Sequence, residues 1–121
     1  VLSEPMLNTL SGSCIDAHNV HQALQTCFGG RNHIVGVTMG GQGVWWFDGG
    51  TIQHMPSPKV TVVDTLAAGD TWHGALALAL AKDIPVHAAL EFATRAAALK
   101  CTQPGGRLGI PTLAQFERHW S

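Results

Sequence analysis

Apolar positions along the chain change period several times, and each change marks an element. Val20, Leu24, Cys27 and Phe28 fall at i, i+4, i+7 and i+8, one face of a helix that Asp16 can cap and Gly29-Gly30 ends. His33 to Met39 is rich in β-branched residues and reads as a strand, followed at once by Gly40-Gly41-Gln42-Gly43. Val44 to Phe47 and Thr51 to His54, joined through Asp48-Gly49-Gly50, read as a β-hairpin. After the loop Met55-Pro56-Ser57-Pro58, Val60 to Val63 predicts a short buried strand and Leu66-Ala67-Ala68-Gly69 a small-residue loop. From Asp70 the period becomes helical, with Trp72, Leu76, Ala79 and Leu80 on one face.

Lys82-Asp83-Ile84-Pro85 breaks that helix, and Pro85 suits the first turn of the next, whose contact face is Ala89, Phe92, Ala93, Ala96, Ala97 and Lys100. Cys101 to Gly109, with one proline and three glycines, predicts an irregular loop that exposes carbonyls. Thr112 to Gln115 is a capping box opening a terminal helix through Phe116 and Trp120. The first residues, Val1 to Gly12, begin on apolar side chains without a cap and predict no element, and Ser11, Gly12 and Ser13 punctuate. Strands alternating with helices predict an α/β fold.

Composition narrows the function. With 121 residues, 45% hydrophobic and 12% charged, the chain can bury one modest core, as one domain or part of one. A net charge of -1 without a Lys/Arg run offers no footprint for nucleic acid or an anionic membrane. No apolar run reaches spanning length and the start lacks signal-peptide features, so a cytoplasmic location is expected. Cys14, Cys27 and Cys101 are odd in number without a CxxC pair, which predicts reduced, buried thiols. Cys14, His18 and His21 would share a face if the chain were helical from Cys14, the one arrangement resembling a metal site; with no second ligand pair near, scattered surface histidines beside a packed cysteine are the reading preferred.

The chemistry concentrates between Val60 and Leu80. A helix opening after a small-residue loop presents unpaired N–H groups and the positive end of its dipole, a ready anion site. Ala67, Ala68 and Gly69 have almost no side chain to keep a phosphate away, and Asp70 is a lone carboxylate at the mouth. Such a group either caps the helix or acts as a general base toward an attacking hydroxyl.

Asp64-Thr65-Leu66-Ala67-Ala68-Gly69-Asp70, followed by the aromatic Trp72, resembles the DTxGAGD signature of the ribokinase-like (PfkB) carbohydrate kinases, with Ala67 in place of the commoner glycine. The likeness runs through Thr38, Gly40 and Gly43, which match VTxGxxG, and through Lys100 to Pro111. It implies the C-terminal part of a three-layer α/β/α sandwich, with a mostly parallel sheet and an edge hairpin. It implies ATP-dependent phosphorylation of a sugar or sugar-like hydroxyl. Asp70 would be the base that meets the substrate, Ala67 to Asp70 the anion hole, and Thr38, Gly40, Gly41, Gln42, Gly43, Gly69 and Thr94 the nucleotide contacts. Asp64, Leu66, Lys100, Gln103, Gly105 and Gly109 would hold a monovalent cation, usually potassium, mostly through main-chain oxygens. Mg-ATP is the implied donor, and a homodimer is compatible with the likeness.

The pattern also departs from the family. Where members carry NxxE, associated with magnesium and phosphate handling, this sequence has Ser3 to Met6 with both polar residues missing; Glu4 is close by, but the contact carries over to no residue. Ser3-Glu4-Pro5 together with Lys100 to Pro111 is similar to a bacterial subgroup of sugar kinases that includes sulfofructose kinase. Nothing matches the family's N-terminal sugar-binding half and lid. On that ground the chain is expected to be a C-terminal piece, inactive toward sugars and poorly stable when expressed alone.

Overall fold

The computed structural model describes residues 1–16, 18–28, 34–48 and 51–120, and these form two compact units, Val1–Pro56 and Ser57–Ser121.

In the first unit, β1 (Leu2–Ser3), β2 (Val35–Thr38), β3 (Val44–Asp48) and β4 (Thr51–Met55) form one four-stranded sheet in that order. β1 runs parallel to β2, pairing Leu2 with Val37, whereas β2, β3 and β4 are antiparallel, pairing Val37 with Trp45 and Trp45 with His54. The expected hairpin is present at the sheet edge; its turn, Gly49 and Gly50, lies outside the described residues, as do His33 and the Gly29-Gly30 helix end. Within this unit the sheet is therefore mixed, with one parallel pairing.

Two helices, α1 (Glu4–Ser11) and α2 (Val20–Phe28), cover the sheet. Leu7, Val20 and Leu24 from the helices pack with Val35, Val37, Met39 and Trp45 in one core. The strand residues alternate, as a period of two requires, so that Gly36 faces away. A Cβ on Gly36 would lie 3.0 Å from the Trp45 carbonyl oxygen, so the ladder there admits only glycine without a shift. Asp16 works where the capping expectation put it, its Oδ1 accepting from the N–H groups of His18 and Asn19 at 2.8 and 3.1 Å.

Neither β1 nor α1 is predicted by the sequence pattern. Pro5 stands in the first turn of α1, and Gly12, at φ 71, closes it by donating to the Asn8 carbonyl. Pro just inside a helix start and Gly just past its end is itself a recognisable frame. The thiols also differ from expectation, since Cys14 is exposed and Cys27 and Cys101 are half-buried. Because helix α2 starts only at Val20, Cys14, His18 and His21 share no helical face, and no metal-ligating cluster occurs among the described residues.

The second unit contains α3 (Ala68–Ala81), α4 (Val86–Cys101) and α5 (Leu113–Trp120). Val60 to Val63, expected as a strand, has no ladder partner among the described residues and is not one. The N–H groups of Val63 and Asp64 instead donate to the Cys101 carbonyl at 2.7 and 3.1 Å, while the side chains of Val62 and Val63 are exposed. α3 packs on α4 through Thr71, Trp72 and Ala79. Leu80, expected on that face, is 45% exposed because one residue past Ala79 turns the helix about 100°. Small residues Ala89, Ala93 and Ala96 bring α4 close. The Thr112 capping box forms as expected, Gln115 N–H donating to Thr112 Oγ1 at 3.2 Å and Thr112 N–H to Gln115 Oε1 at 2.8 Å. Among the described residues no helix is long and apolar enough to cross a membrane.

The α3–α4 contact is locked by one polar bond in an apolar seam. Trp72 Nε1–H donates to Thr94 Oγ1 at 3.1 Å, with both side chains buried. Thr94→Val keeps the shape and strands the indole donor, and it is expected to destabilise the chain by about 1–3 kcal/mol in urea unfolding. Combined with Trp72→Phe, the two costs should fall short of additive by about 1 kcal/mol. Additive costs would show that the bond contributes nothing.

Candidate active site

The loop that leads into α3 is shaped by Asp64. Its Oδ1 accepts the N–H of Leu66 at 2.9 Å, a local turn of the kind Asx side chains make, and its Oδ2 accepts the N–H of Gly105 at 2.9 Å from across the fold. One carboxylate therefore ties the 64–67 loop to the 101–106 loop. Those two donors, ahead of a smaller pull from the Lys100 charge, hold the Asp64 carboxyl below the usual carboxylate range, with burial acting the other way. At the same junction burial pushes the Cys101 thiol up.

Past Asp64 the chain turns sharply. Ala67 sits in the left-handed region at φ 62, a conformation that glycine adopts without strain and alanine does not. The turn lets the Ala67 carbonyl accept from both the N–H and the hydroxyl of Thr71, at 2.9 and 2.8 Å. Ala68 N–H is engaged by the Thr65 carbonyl at 3.1 Å. Among the described residues this leaves the N–H groups of Ala67, Gly69 and Asp70 without an acceptor, and a Cβ on Gly69 would meet nothing within 4 Å. The start of α3 is thus open, small and donor-rich.

Asp70 stands in the first turn of α3, exposed, and its carboxylate accepts no hydrogen bond from the described residues. The capping position is held by Ala67, so the helix does not use Asp70 as a cap. Asp70 also lines a cleft of about 300 Å³ with Thr71, Gly74, Phe92, Leu113 and Phe116. Thr94 is buried, and its hydroxyl oxygen accepts from Trp72 Nε1–H.

Lys100 is the residue whose role the sequence concealed. It is fully buried, and its Nζ donates to the Asp64 carbonyl at 2.9 Å and the Gln103 carbonyl at 3.4 Å. The resemblance implies for it only a place among cation positions that act mostly through main-chain oxygens. A lysine on the alanine-rich face of a helix, one residue before a carbonyl-rich loop, was the available signal, since a buried ammonium needs acceptors.

In the first unit the glycines from 40 to 43 make a tight turn between β2 and β3. Gly40 is at φ 53 and Gly43 at φ 90, and Met39 N–H donates to the Gly43 carbonyl at 2.8 Å. Gly40 and Gly41 leave open space where a Cβ would be, and Gln42 is exposed. The Gln42 carbonyl accepts from His54 Nε2 at 2.7 Å, and the His54 ring stacks on Trp45 at 3.8 Å between centroids, which steadies the turn. Thr38 Oγ1 reaches the Leu2 carbonyl at 3.5 Å. Glu4 stands in the first turn of α1.

Residues 2–113 match the family model described as pfkB family carbohydrate kinase. The chain is 38% identical over 81 residues to a ribokinase of Lactococcus lactis subsp. lactis, covering 67% of this chain and 27% of that protein. It is 32% identical over 123 residues to a deoxyribokinase of Salmonella typhi, covering 100% of this chain and 40% of that one. The structure of Arabidopsis thaliana ribokinase complexed with ribose and ATP superposes with a TM-score of 0.85 at 28% identity, over 96% of this chain and 38% of that one. The chain thus spans well under half the length of these relatives. The narrower likeness to a sulfofructose kinase subgroup gains no support from them.

Two outcomes test this geometry. A carboxylate whose folded-state pKa is depressed contributes stability that is present above the ordinary carboxylate range, about pH 4, and lost as the pH falls below it. Wild type should therefore melt above Asp64→Asn at neutral pH, and the difference should shrink on acidification; a gap constant with pH would exclude the carboxylate bonds. Separately, Ala67→Gly should raise stability by up to about 1 kcal/mol in urea unfolding by relieving the left-handed residue, and a loss would show that Ala67 is unstrained.

Proposed function

Given that this chain belongs to the pfkB family of carbohydrate kinases, we propose that it supplies the phosphate-handling part of an ATP-dependent kinase acting on a sugar or sugar-like hydroxyl. The observation that carries the reading is the free Asp70 carboxylate in the first turn of a helix that does not need it as a cap, beside donors that have no acceptor in the described residues.

In this reading Asp70 accepts the proton of the sugar hydroxyl as its oxygen attacks the terminal phosphorus of ATP. The new P–O bond forms while the bond to the bridging oxygen breaks, and ADP leaves. The N–H groups at the start of α3 stabilise negative charge that builds on the phosphoryl oxygens, and they need little reorganisation because loop and helix already hold them. Of the anion-hole residues, Ala67 and Gly69 contribute N–H donors, whereas Ala68 serves chiefly to keep the approach open. Thr38 and the turn from Gly40 to Gly43 form the nucleotide-facing loop of the first unit, with magnesium entering on ATP. Thr94 supports Trp72. The ribose and ATP of the Arabidopsis complex support a sugar and a nucleotide as the two substrates.

Asp70→Asn, in the full-length protein, should lower kcat by about a hundredfold or more while nucleotide affinity stays within a few fold, because the amide keeps the shape but cannot take the proton. Steady-state ADP release over a panel of sugars, with a parallel nucleotide-binding titration, checks both halves. Retention of most of the rate would remove Asp70 as the base. Nucleotide binding without turnover in the wild type would instead favour a regulatory module.

A further inference from the structure

Of the six positions that the resemblance assigns to a monovalent cation, Asp64, Gln103 and Gly109 lie against a side chain of the chain itself, that of Lys100. Lys100 Nζ lies 2.9 Å from the Asp64 carbonyl oxygen and 3.4 Å from that of Gln103, two of the expected cation ligands. The Asp64 carboxylate is not free to turn inward, since its oxygens hold the N–H groups of Leu66 and Gly105. A potassium ion would have to share its carbonyls with a buried ammonium in a low-dielectric setting, where like charges repel strongly. The residues present do not fit an exchangeable cation.

We propose that the Lys100 ammonium is a covalently tethered replacement for the monovalent cation, so that this chain orders its 64–70 loop without potassium. An ammonium and a potassium ion are alike in charge and size, and carbonyl oxygens satisfy either. Reach is supplied by the last turn of α4, from which the lysine stem runs back under the loop. Space is supplied by Gly109: a Cβ there would lie 3.1 Å from Lys100 Cε and 3.1 Å from the Pro104 carbonyl oxygen. The pair is complementary, with a long side chain at one expected ligand position and none at another. The functional weight of this substitution rests on the kinase reading, whereas the occupancy of the cage does not.

Occupancy can be read without turnover. Wild-type protein should show no saturable thallium(I) site by thallium NMR, thallium(I) being a potassium surrogate. It should melt within about 1 °C in potassium and choline chloride at matched ionic strength. Lys100→Ala empties the cage and should gain a potassium-specific rise of about 3 °C or more together with saturable thallium binding. Lys100→Met fills the volume without charge and should gain neither. Saturable thallium binding by wild type, or a folded Lys100→Ala variant indifferent to potassium, would overturn the proposal. If Lys100→Ala fails to fold in either salt, the wild-type thallium titration decides it. Failure of sugar-kinase activity with no thallium site in wild type would count against the kinase reading and leave the ammonium assignment standing.

Discussion

Residue 64 is where the second unit's loops are joined, and it uses both its main chain and its side chain to do so. Its carboxylate receives two backbone donors, one local from Leu66 and one distant from Gly105, and its carbonyl receives the Lys100 ammonium. Charge-assisted bonds of this kind are short and directional, and three of them meeting at one residue leave the following turn little freedom. The turn matters because the chain must leave it as the first turn of α3 with the Gly69 and Asp70 N–H groups unengaged. Ala67 then takes a left-handed conformation that an unconstrained alanine would avoid. Strain of that size persists only where the surroundings over-determine it, and the Asp64 bonds are those surroundings.

The same junction explains why the Asp70 carboxylate accepts no hydrogen bond among the described residues. A helix whose start is already organised by a loop does not need an Asp side chain to cap it; the Thr71 hydroxyl and N–H both go to the Ala67 carbonyl, and Asp70 is left unbonded. Behind it, the Trp72–Thr94 bond and the small face of α4 fix the helix from the buried side. The position of Asp70 is thereby set from two directions, by the loop in front and by the seam behind. Catalysis that depends on placement rather than covalent chemistry needs that kind of support.

Much of this was legible along the chain, and the failures have physical causes. α2, α3, α4, α5 and the hairpin carry clear periods and real punctuation: Asp16, the Thr112 box and the Pro85 break act where the pattern put them. Val60 to Val63 has the composition of a strand, but composition reports fitness for a sheet and not the presence of a neighbour; without one, its backbone bonds to Cys101. α1 was hidden because it spans only 8 residues with Leu7 alone buried, although Pro5 and Gly12 framed it. At the site, the motif located Asp64, the small-residue turn and Asp70. It did not reveal that Ala68 N–H is engaged or that Thr94 is buried, because both follow from bonds between residues whose spacing alone does not say which partner wins.

Lys100 shows the limit most clearly, and also what lies behind it. A family motif made of main-chain oxygens is nearly silent about side chains, so almost any residue can stand at such a position until one long enough to reach the centre arrives. Lysine is long enough, and its burial is tolerable only because the carbonyls that would have held an ion already point at one place. An ion drawn from solution loses translational freedom each time it binds, whereas a tethered ammonium has lost most of it on folding and is present at a concentration that solution conditions cannot change. The exchange carries a steric condition. With a side chain at position 109 the lysine stem and the Pro104 carbonyl would have to shift, and with a short residue at position 100 the glycine would leave a gap, so the two residues are matched to each other.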